Sequence, residues 1–340
     1  MRLIPRTFTD PIVYGHATGR VKVLETKLFT KQRLERLVQA DDLAEQVGIL
    51  AETDYGEFFE NVHTAEDIEE ALNKYLAKVY DFLEEVIKKK EIIQFFRLKY
   101  DYHNLKVLLK TKYLGKDAER IWSHLGLLDV ALAKEAIAQE APENLPEPYS
   151  FDVRRGMEGF EKTKDSQEID IALDRGLYQR WYRLALSLQN RYLIDFAGAS
   201  IDLANLRTFL RAKNLGRRVE FIAGALFDHG SIEKENLISL YTRPLSDLVS
   251  ELSNTVYGPI ISFVVQGKDK VDLGRLDKAA ENLLLWYAKK AKLIAVGPEP
   301  LAGYILAKEN EANAVRIVLT GKLNGLPREV VGERIRDLYV

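Results

Sequence analysis

Asp101, His103, Asn104 and Lys106 crowd into six residues, flanked by Tyr100 and Tyr102. A carboxylate, an imidazole, an amide and an ammonium this close hold the groups needed for proton transfer or for gripping a polar ligand. The chain then repeats most of the stretch. Asp101-x-x-Asn104-Leu105-Lys106-x-x-Leu109-Lys110-x-Lys112-x-Leu114-Gly115-Lys116 returns as Asp202-x-x-Asn205-Leu206-Arg207-x-x-Leu210-Arg211-x-Lys213-x-Leu215-Gly216-Arg217. A third, weaker copy has Glu311, Arg316, Leu319, Lys322 and Gly325 at matching offsets, with Ala314 in place of Asn. The imidazole is not repeated, since Ala204 and Asn313 occupy its positions. His103 is therefore not expected to be a ligand.

Copying argues for structure over catalysis, because a single active site needs no second edition. An Asp followed three residues later by Asn either caps a helix or, within a continuous helix, places both side chains on one face. The basic residues Lys106, Lys110, Lys112 and Lys116, with Arg207, Arg211, Lys213 and Arg217, resemble a phosphate-binding row. Such a row is more often the solvated side of an amphipathic helix, and its specific use would be an acidic protein surface or anionic headgroups.

Other chemistry is not supported. The sequence has no Gly-x-x-x-x-Gly-Lys-Ser/Thr loop and no Gly-x-Gly-x-x-Gly after a strand. Its five His residues lack metal-ligand spacing, and it has no Cys. Neither a catalytic residue, a cofactor nor a metal is expected. A hydrolase built on Glu52 and Asp54 has only the residue types behind it.

Composition sets the frame. The 340 residues carry 49 basic and 51 acidic side chains, a net charge of −2, which argues against a nucleic-acid surface. Hydrophobic content is 46%, as in ordinary globular proteins. No apolar run nears the ~20 residues that cross a bilayer, and Met1 to Asp10 lacks the apolar core of a signal peptide. The absence of Cys fits a cytoplasmic setting.

The elements that carry the motif read as helices. Residues 1 to 14, with Pro5 and Pro11, read as an extended lead-in. A helical pattern starts near Gly19 and breaks at Phe29-Thr30-Lys31; a second short helix covers Asp41 to Leu50. Thr64 is placed to cap a long helix, with Glu66 and Asp67 in its first turn. Its apolar seam is Ile68, Leu72, Tyr75, Val79, Phe82 and Val86. Lys88-Lys89-Lys90 either closes this helix or lies on the solvated face of a longer one. Ile260 to Val265 is the one strand-like run, and its place in the repeat favours a buried helical piece. The aromatic pairs Phe58-Phe59, Phe95-Phe96, Trp181-Tyr182 and Trp286-Tyr287 are expected in the core.

The repeat reaches further upstream. Ile68-Glu-Glu-Ala71-Leu72 matches Ile169-Asp-Ile-Ala172-Leu173 and Leu276-Asp-Lys-Ala279-Ala280. Leu50-x-x-Thr53-x-Tyr55-Gly56 matches Leu252-x-x-Thr255-x-Tyr257-Gly258, while the middle unit has the Pro-rich stretch from Pro142 to Pro148. The expectation is an all-α chain of three tandem helical domains, 1–116, 117–217 and 218–340, each needing its neighbours to bury its apolar faces. Gly115 and Gly216 suit helix C-termini.

At this point the residues resemble a known family. Tyr14, then Gly19-Arg20-Val21-Lys22-x-Leu24-Glu25, Leu50-Ala-Glu-Thr53-Asp-Tyr55, Phe96-Arg97-x-Lys99-Tyr100-Asp101-Tyr102-x-Asn104-Leu105-Lys106 and Asp202-Leu-Ala-Asn205-Leu-Arg207 are similar to the C subunits of V/A-type rotary ATPases and to the d subunits of the eukaryotic V-type enzymes. The resemblance spans essentially the full length. It implies a non-catalytic rotor part in which three helical domains close into a pseudo-threefold funnel. It further implies a place on the cytoplasmic face of the membrane, between the proteolipid ring and the D and F subunits of the central stalk, without a bilayer span. The rival expectation is an open α-solenoid that binds proteins without rotary function.

Overall fold

Pro11 opens the first helix, α1 (Pro11–Glu25), in the computed structural model, which describes residues 11–115, 122–266 and 270–340. Residues 11–14, expected to be extended, are thus helical. Proline has no N–H to lose in a first turn, and its φ is already helical there. Residues 1–10 of the expected lead-in lie outside the described residues.

The chain breaks where Phe29-Thr30-Lys31 indicated. The Thr30 hydroxyl accepts from Arg33 N at the start of α2 (Lys31–Gln39), and Asp42 caps α3 (Leu43–Ala51) through Glu45 N. At the head of α4 (Ala65–Val86), Thr64 accepts from Asp67 N while the Asp67 carboxylate accepts from the N–H groups of His63 and Thr64. This capping box satisfies amides that the helix itself leaves unpaired. Those amide donors hold the Asp67 carboxyl below its usual range. The group therefore stabilises the fold fully above the ordinary Asp value, about 3.9. That contribution is lost as pH falls through the lower folded value. Asp67→Asn is expected to flatten the acid limb of a plot of Tm against pH; an unchanged limb would refute the assignment.

Helix α4 ends at Val86, so Lys88 to Lys90 fall in the junction before α5 (Glu91–Leu114). Its buried stripe departs from the expected seam. Tyr80 and Leu83 are buried where Val79 and Phe82 were expected, and the latter two line an open cleft of about 630 Å³. Helix α4 packs against α1, α5 and α15, so several neighbours, and not one strict seam, set which face it buries.

Beyond Gly115 the elements are α6 (Val130–Ala138), α7 (Tyr149–Thr163), α8 (Gln167–Ser187) and α9 (Arg191–Asn214). They continue as α10 (Val219–Ala225), α11 (Lys234–Tyr241), α12 (Leu245–Leu252) and α13 (Gly258–Val264). The last are α14 (Leu273–Lys290), α15 (Pro298–Leu323) and α16 (Arg328–Arg334). Of the strand-like run, Ile260 to Val264 belong to α13, with Ile261 and Val264 buried and Phe263 exposed, and Val265 is extended. Among the described residues, extended pairing is limited to a two-rung antiparallel ladder, Val265–Gln266 on Lys270–Val271. The fold is otherwise all-α. No helix among the described residues is long and apolar enough to cross a membrane.

Two compact units result. Residues 11–177 and Ala288–Val340 form one, and Tyr178–Tyr287 the other. In the first, α15 is buried along its length through Leu301, Ile305, Val315, Val318 and Leu319, and packs against α1 and α4. The two ends of the chain thereby share a core. In the second, Leu206, Phe209 and Leu210 of α9 pack with Leu237, Leu248, Ile261 and Leu276. Phe59, Phe95, Phe96 and Trp181 are buried as expected, but Trp286 is 47% exposed. Adjacent residues on a helix face different ways, so both rings are buried only where the helix is covered on more than one side, as at Phe95 and Phe96.

Candidate functional site

Asp101 and Asn104 lie in mid-helix on α5, fully or almost fully buried, and neither caps it. They share a face and hydrogen-bond the segment that follows. Asp101 Oδ1 accepts from Leu127 N at 2.6 Å and Leu128 N at 2.8 Å, and Oδ2 accepts from the Tyr149 hydroxyl at 2.6 Å. The Asn104 amide donates to Ser123 O at 2.8 Å and accepts from Ser123 N at 2.9 Å.

On α9 the same geometry recurs. Asp202 accepts from Ser231 N at 2.9 Å, Ser231 Oγ at 2.5 Å, Ile232 N at 3.0 Å and the Tyr257 hydroxyl at 2.7 Å. Asn205 donates to Phe227 O at 2.9 Å and accepts from Phe227 N at 2.8 Å. The carboxylates come so close to the chain that the preceding residue must be glycine. A Cβ on Gly126 would stand 2.4 Å from Asp101 Oδ1, and one on Gly230 would stand 2.1 Å from Asp202 Oδ1.

Glu311 on α15 makes the third version. It accepts from Phe29 N at 2.6 Å and from the Tyr55 hydroxyl at 3.1 Å. Lys308, one turn back and 2% exposed, donates to it at 3.0 Å. The segment gripped here is the junction between α1 and α2. Ala314 needs no amide, because the carbonyls of Val23, Leu24 and Glu25 are already taken by the N–H groups of Thr26, Lys27 and Leu28 as α1 ends. Ser123 and Phe227, by contrast, present both backbone groups to a side chain.

The basic residues complete this arrangement. Lys112 donates to Ile137 O at 2.8 Å, Lys213 to Tyr241 O at 2.6 Å, and Lys322 to Asp41 O at 3.2 Å. Each ammonium thus sits at or just beyond the C-terminal end of a short helix: α6, α11 or α2. The carboxylate eleven residues earlier meets the amides just before that helix. Eleven residues rise about 16 Å, which spans a nine-residue helix with its approach. The short helix is held at both ends by one long helix, and each charge faces the helix end whose dipole it complements.

Lys106 pairs with Asp174, Arg207 with Asp277 at 2.6 Å, and Arg316 with Glu69 at 2.6 Å. Lys110 and Arg211 reach Asp170 and Asp277. The described members of the row are half-buried or exposed, as on a partly solvated face, and six of them also bond within the chain. Lys116 lies outside the described residues. Arg217 sits over the Phe221 ring.

Burial pushes the Asp202 carboxyl above its usual range, against the pull of donors from Ser231, Ile232 and Tyr257. Burial, then the adjacent carboxylate, also raises the hydroxyls of Tyr257 and Tyr55, which stay protonated as donors. The oxygens of Asp202 face four donors of the chain itself, and the residue is fully buried. Such an arrangement fastens backbone; it presents no face for a substrate. His103 is exposed, on another side of α5 from Asp101 and Asn104. Glu52 and Asp54 form exposed pairs with Arg36 and Lys27.

Sequence reasoning missed Tyr149, Lys308 and the two glycines, and saw Tyr55 and Tyr257 only as parts of an unexplained match. That match was the available signal. Thr53 donates to Leu50 O and accepts from Tyr55 N, and Thr255 repeats both bonds with Leu252 and Tyr257, so each turn aims its tyrosine at a carboxylate.

A family model described as "ATP synthase (C/AC39) subunit" matches residues 17–334. The chain is 28% identical to the C subunit of the V-type sodium ATPase of Enterococcus hirae, covering 96% of this chain and 99% of that one. It is 26% identical to the C subunit of the A-type ATP synthase of Methanocaldococcus jannaschii, over 99% and 88% of the two chains. With the corresponding protein of Thermococcus kodakarensis it shares 28% identity over 96% and 91%.

Proposed function

The chain belongs to the ATP synthase (C/AC39) subunit family, the C subunits of the V/A-type rotary ATPases, and from that premise we propose that it is a non-catalytic part of the central stalk. It acts as a socket that couples the D–F shaft to the membrane proteolipid ring, so that ion movement is linked to ATP synthesis or hydrolysis elsewhere in the complex. Three helical domains surround the shaft end in a funnel on the cytoplasmic face of the membrane, and the chain meets the ring without entering the bilayer.

The observation carrying this reading is the family match across residues 17–334, which takes in all three copies of the motif. The inward use of the motif supports it. A part that passes torque must turn as a rigid body, and close-packed helices fastened by buried hydrogen bonds transmit strain with little give. A purified D–F shaft, immobilised, is expected to retain this chain; no retention, with both partners folded, would overturn the proposal.

A further inference from the structure

Between α14 and α15 the chain makes a tight turn with an unusual surface. Ala288 and Ala291 are fully buried. The Ala291 side chain lies against α15 where a Cβ on Gly303 would come within 2.6 Å of it. Ile294 N donates to Ala291 O at 3.1 Å and closes the turn. The anchored alanines throw Lys292, Leu293 and Ile294 outward. Leu293 is 86% exposed, more than any other large apolar side chain described, and Ile294 is 38% exposed.

Cations crowd the same place. Lys289 and Lys290 end α14, and Lys292 follows in the turn. Lys22 of α1 and Lys289 both act on Lys292, whose ammonium is depressed first by burial and then by these like charges. Glu25 is the acid that acts on Lys292, and it already accepts from Lys22 at 3.0 Å and from the Tyr339 hydroxyl at 3.2 Å. Lys292 itself lies 4.6 Å from the centre of the Tyr339 ring.

We propose that this turn, Lys289 to Ile294, binds an anionic phospholipid surface, with Leu293 and Ile294 entering the headgroup layer and the lysines meeting lipid phosphates. For its location the proposal rests on the reading of the chain as part of a membrane complex. Its chemistry rests on the turn. Lys289 and Lys292, beside a Glu25 already engaged by Lys22 and Tyr339, call for an anion, and the apolar pair beside them calls for an apolar phase. The headgroup–acyl boundary supplies both side by side, phosphates at the level of the lysines and acyl chains beneath them.

The test is co-sedimentation of the full chain with vesicles of phosphatidylglycerol and phosphatidylcholine, against vesicles of phosphatidylcholine alone. The wild-type chain is expected to pellet with the anionic vesicles and not with the neutral ones. Lys289→Glu with Lys292→Glu is expected to weaken partitioning at least about thirtyfold. Leu293→Ser should weaken it at unchanged charge, with the circular dichroism of both variants that of the wild type. Equal pelleting with both vesicle types, or a charge-reversed variant that still pellets, would overturn the proposal. So would retention on immobilised polyglutamate without vesicle binding, which would assign the turn to an acidic protein. The assay contains no D–F shaft, so its failure and failure of shaft retention remain separate results.

Discussion

Asp202→Ala is expected to destabilise the unit containing α9 by about 3–5 kcal/mol, among the largest effects of any single substitution in the chain. The residue is fully buried, and its removal strands the amides of Ser231 and Ile232 with the hydroxyls of Ser231 and Tyr257. The buried Tyr257 hydroxyl, left unpaired, costs on the order of 1–3 kcal/mol, and the part-buried donors of Ser231 and Ile232 add to this with partial recovery from water. Asp202→Asn should lose nearly as much, because one carbonyl oxygen cannot serve four donors and the new NH2 group faces some of them. Urea unfolding in a Trp122→Phe background, followed by fluorescence of Trp181 and Trp286 in the same unit, reads the change. A midpoint close to wild type would mean that the carboxylate does not hold this segment.

Glu311→Ala is expected to cost a similar amount, about 3–5 kcal/mol, by another route. It leaves the Lys308 ammonium, 2% exposed, without its carboxylate among the rings of Tyr75 and Tyr304. It also frees Phe29 N and the Tyr55 hydroxyl, the bonds by which α15 holds a segment early in the chain. Removing both charges together is predicted to be much milder. Lys308→Met with Glu311→Leu replaces a buried pair by apolar side chains of similar size, a change that is often neutral or better. A double-mutant cycle across the pair should give a coupling of at least about 2 kcal/mol. Additive effects would show that Glu311 and Lys308 act independently.

These residues also show how far the sequence could be read. Helical character was legible from spacing and caps, and Thr30, Thr64, Gly115 and Gly216 stand where local rules place them. Gly115, Gly216 and Gly325 all adopt positive φ, near +64°, +62° and +65°, as helix ends favour. The motif was legible as a repeat, and copying alone turned its reading from a reactive cluster towards a structural one.

Its partners were not legible, because each comes from elsewhere in the fold. Nothing in the spacing of Lys112 or Lys213 points to carbonyls at the ends of α6 and α11. Tyr149 does for Asp101 what Tyr257 does for Asp202, yet it follows a Pro-rich stretch with no likeness to Leu252-x-x-Thr255. Periodicity also leaves the starting point of a repeat open. It suggested units ending at 116 and 217; the motif helices α5 and α9 bond the elements that come after them. Helix α15 closes instead on the segment around Phe29, early in the chain. Glu311 in place of Asp and Ala314 in place of Asn fit that closure, since the gripped segment there leaves a helix.

Native-state hydrogen exchange of the wild-type chain tests most directly whether the repeated carboxylates are fasteners. The amides of Leu127, Leu128, Ser231, Ile232 and Phe29 lie outside helices, and each donates to Asp101, Asp202 or Glu311. They are predicted to exchange as slowly as amides in the interiors of α5, α9 and α15. Exchange at the rate of exposed loops would contradict the account, because carboxylates that leave these amides open to water cannot be what holds the short helices in place.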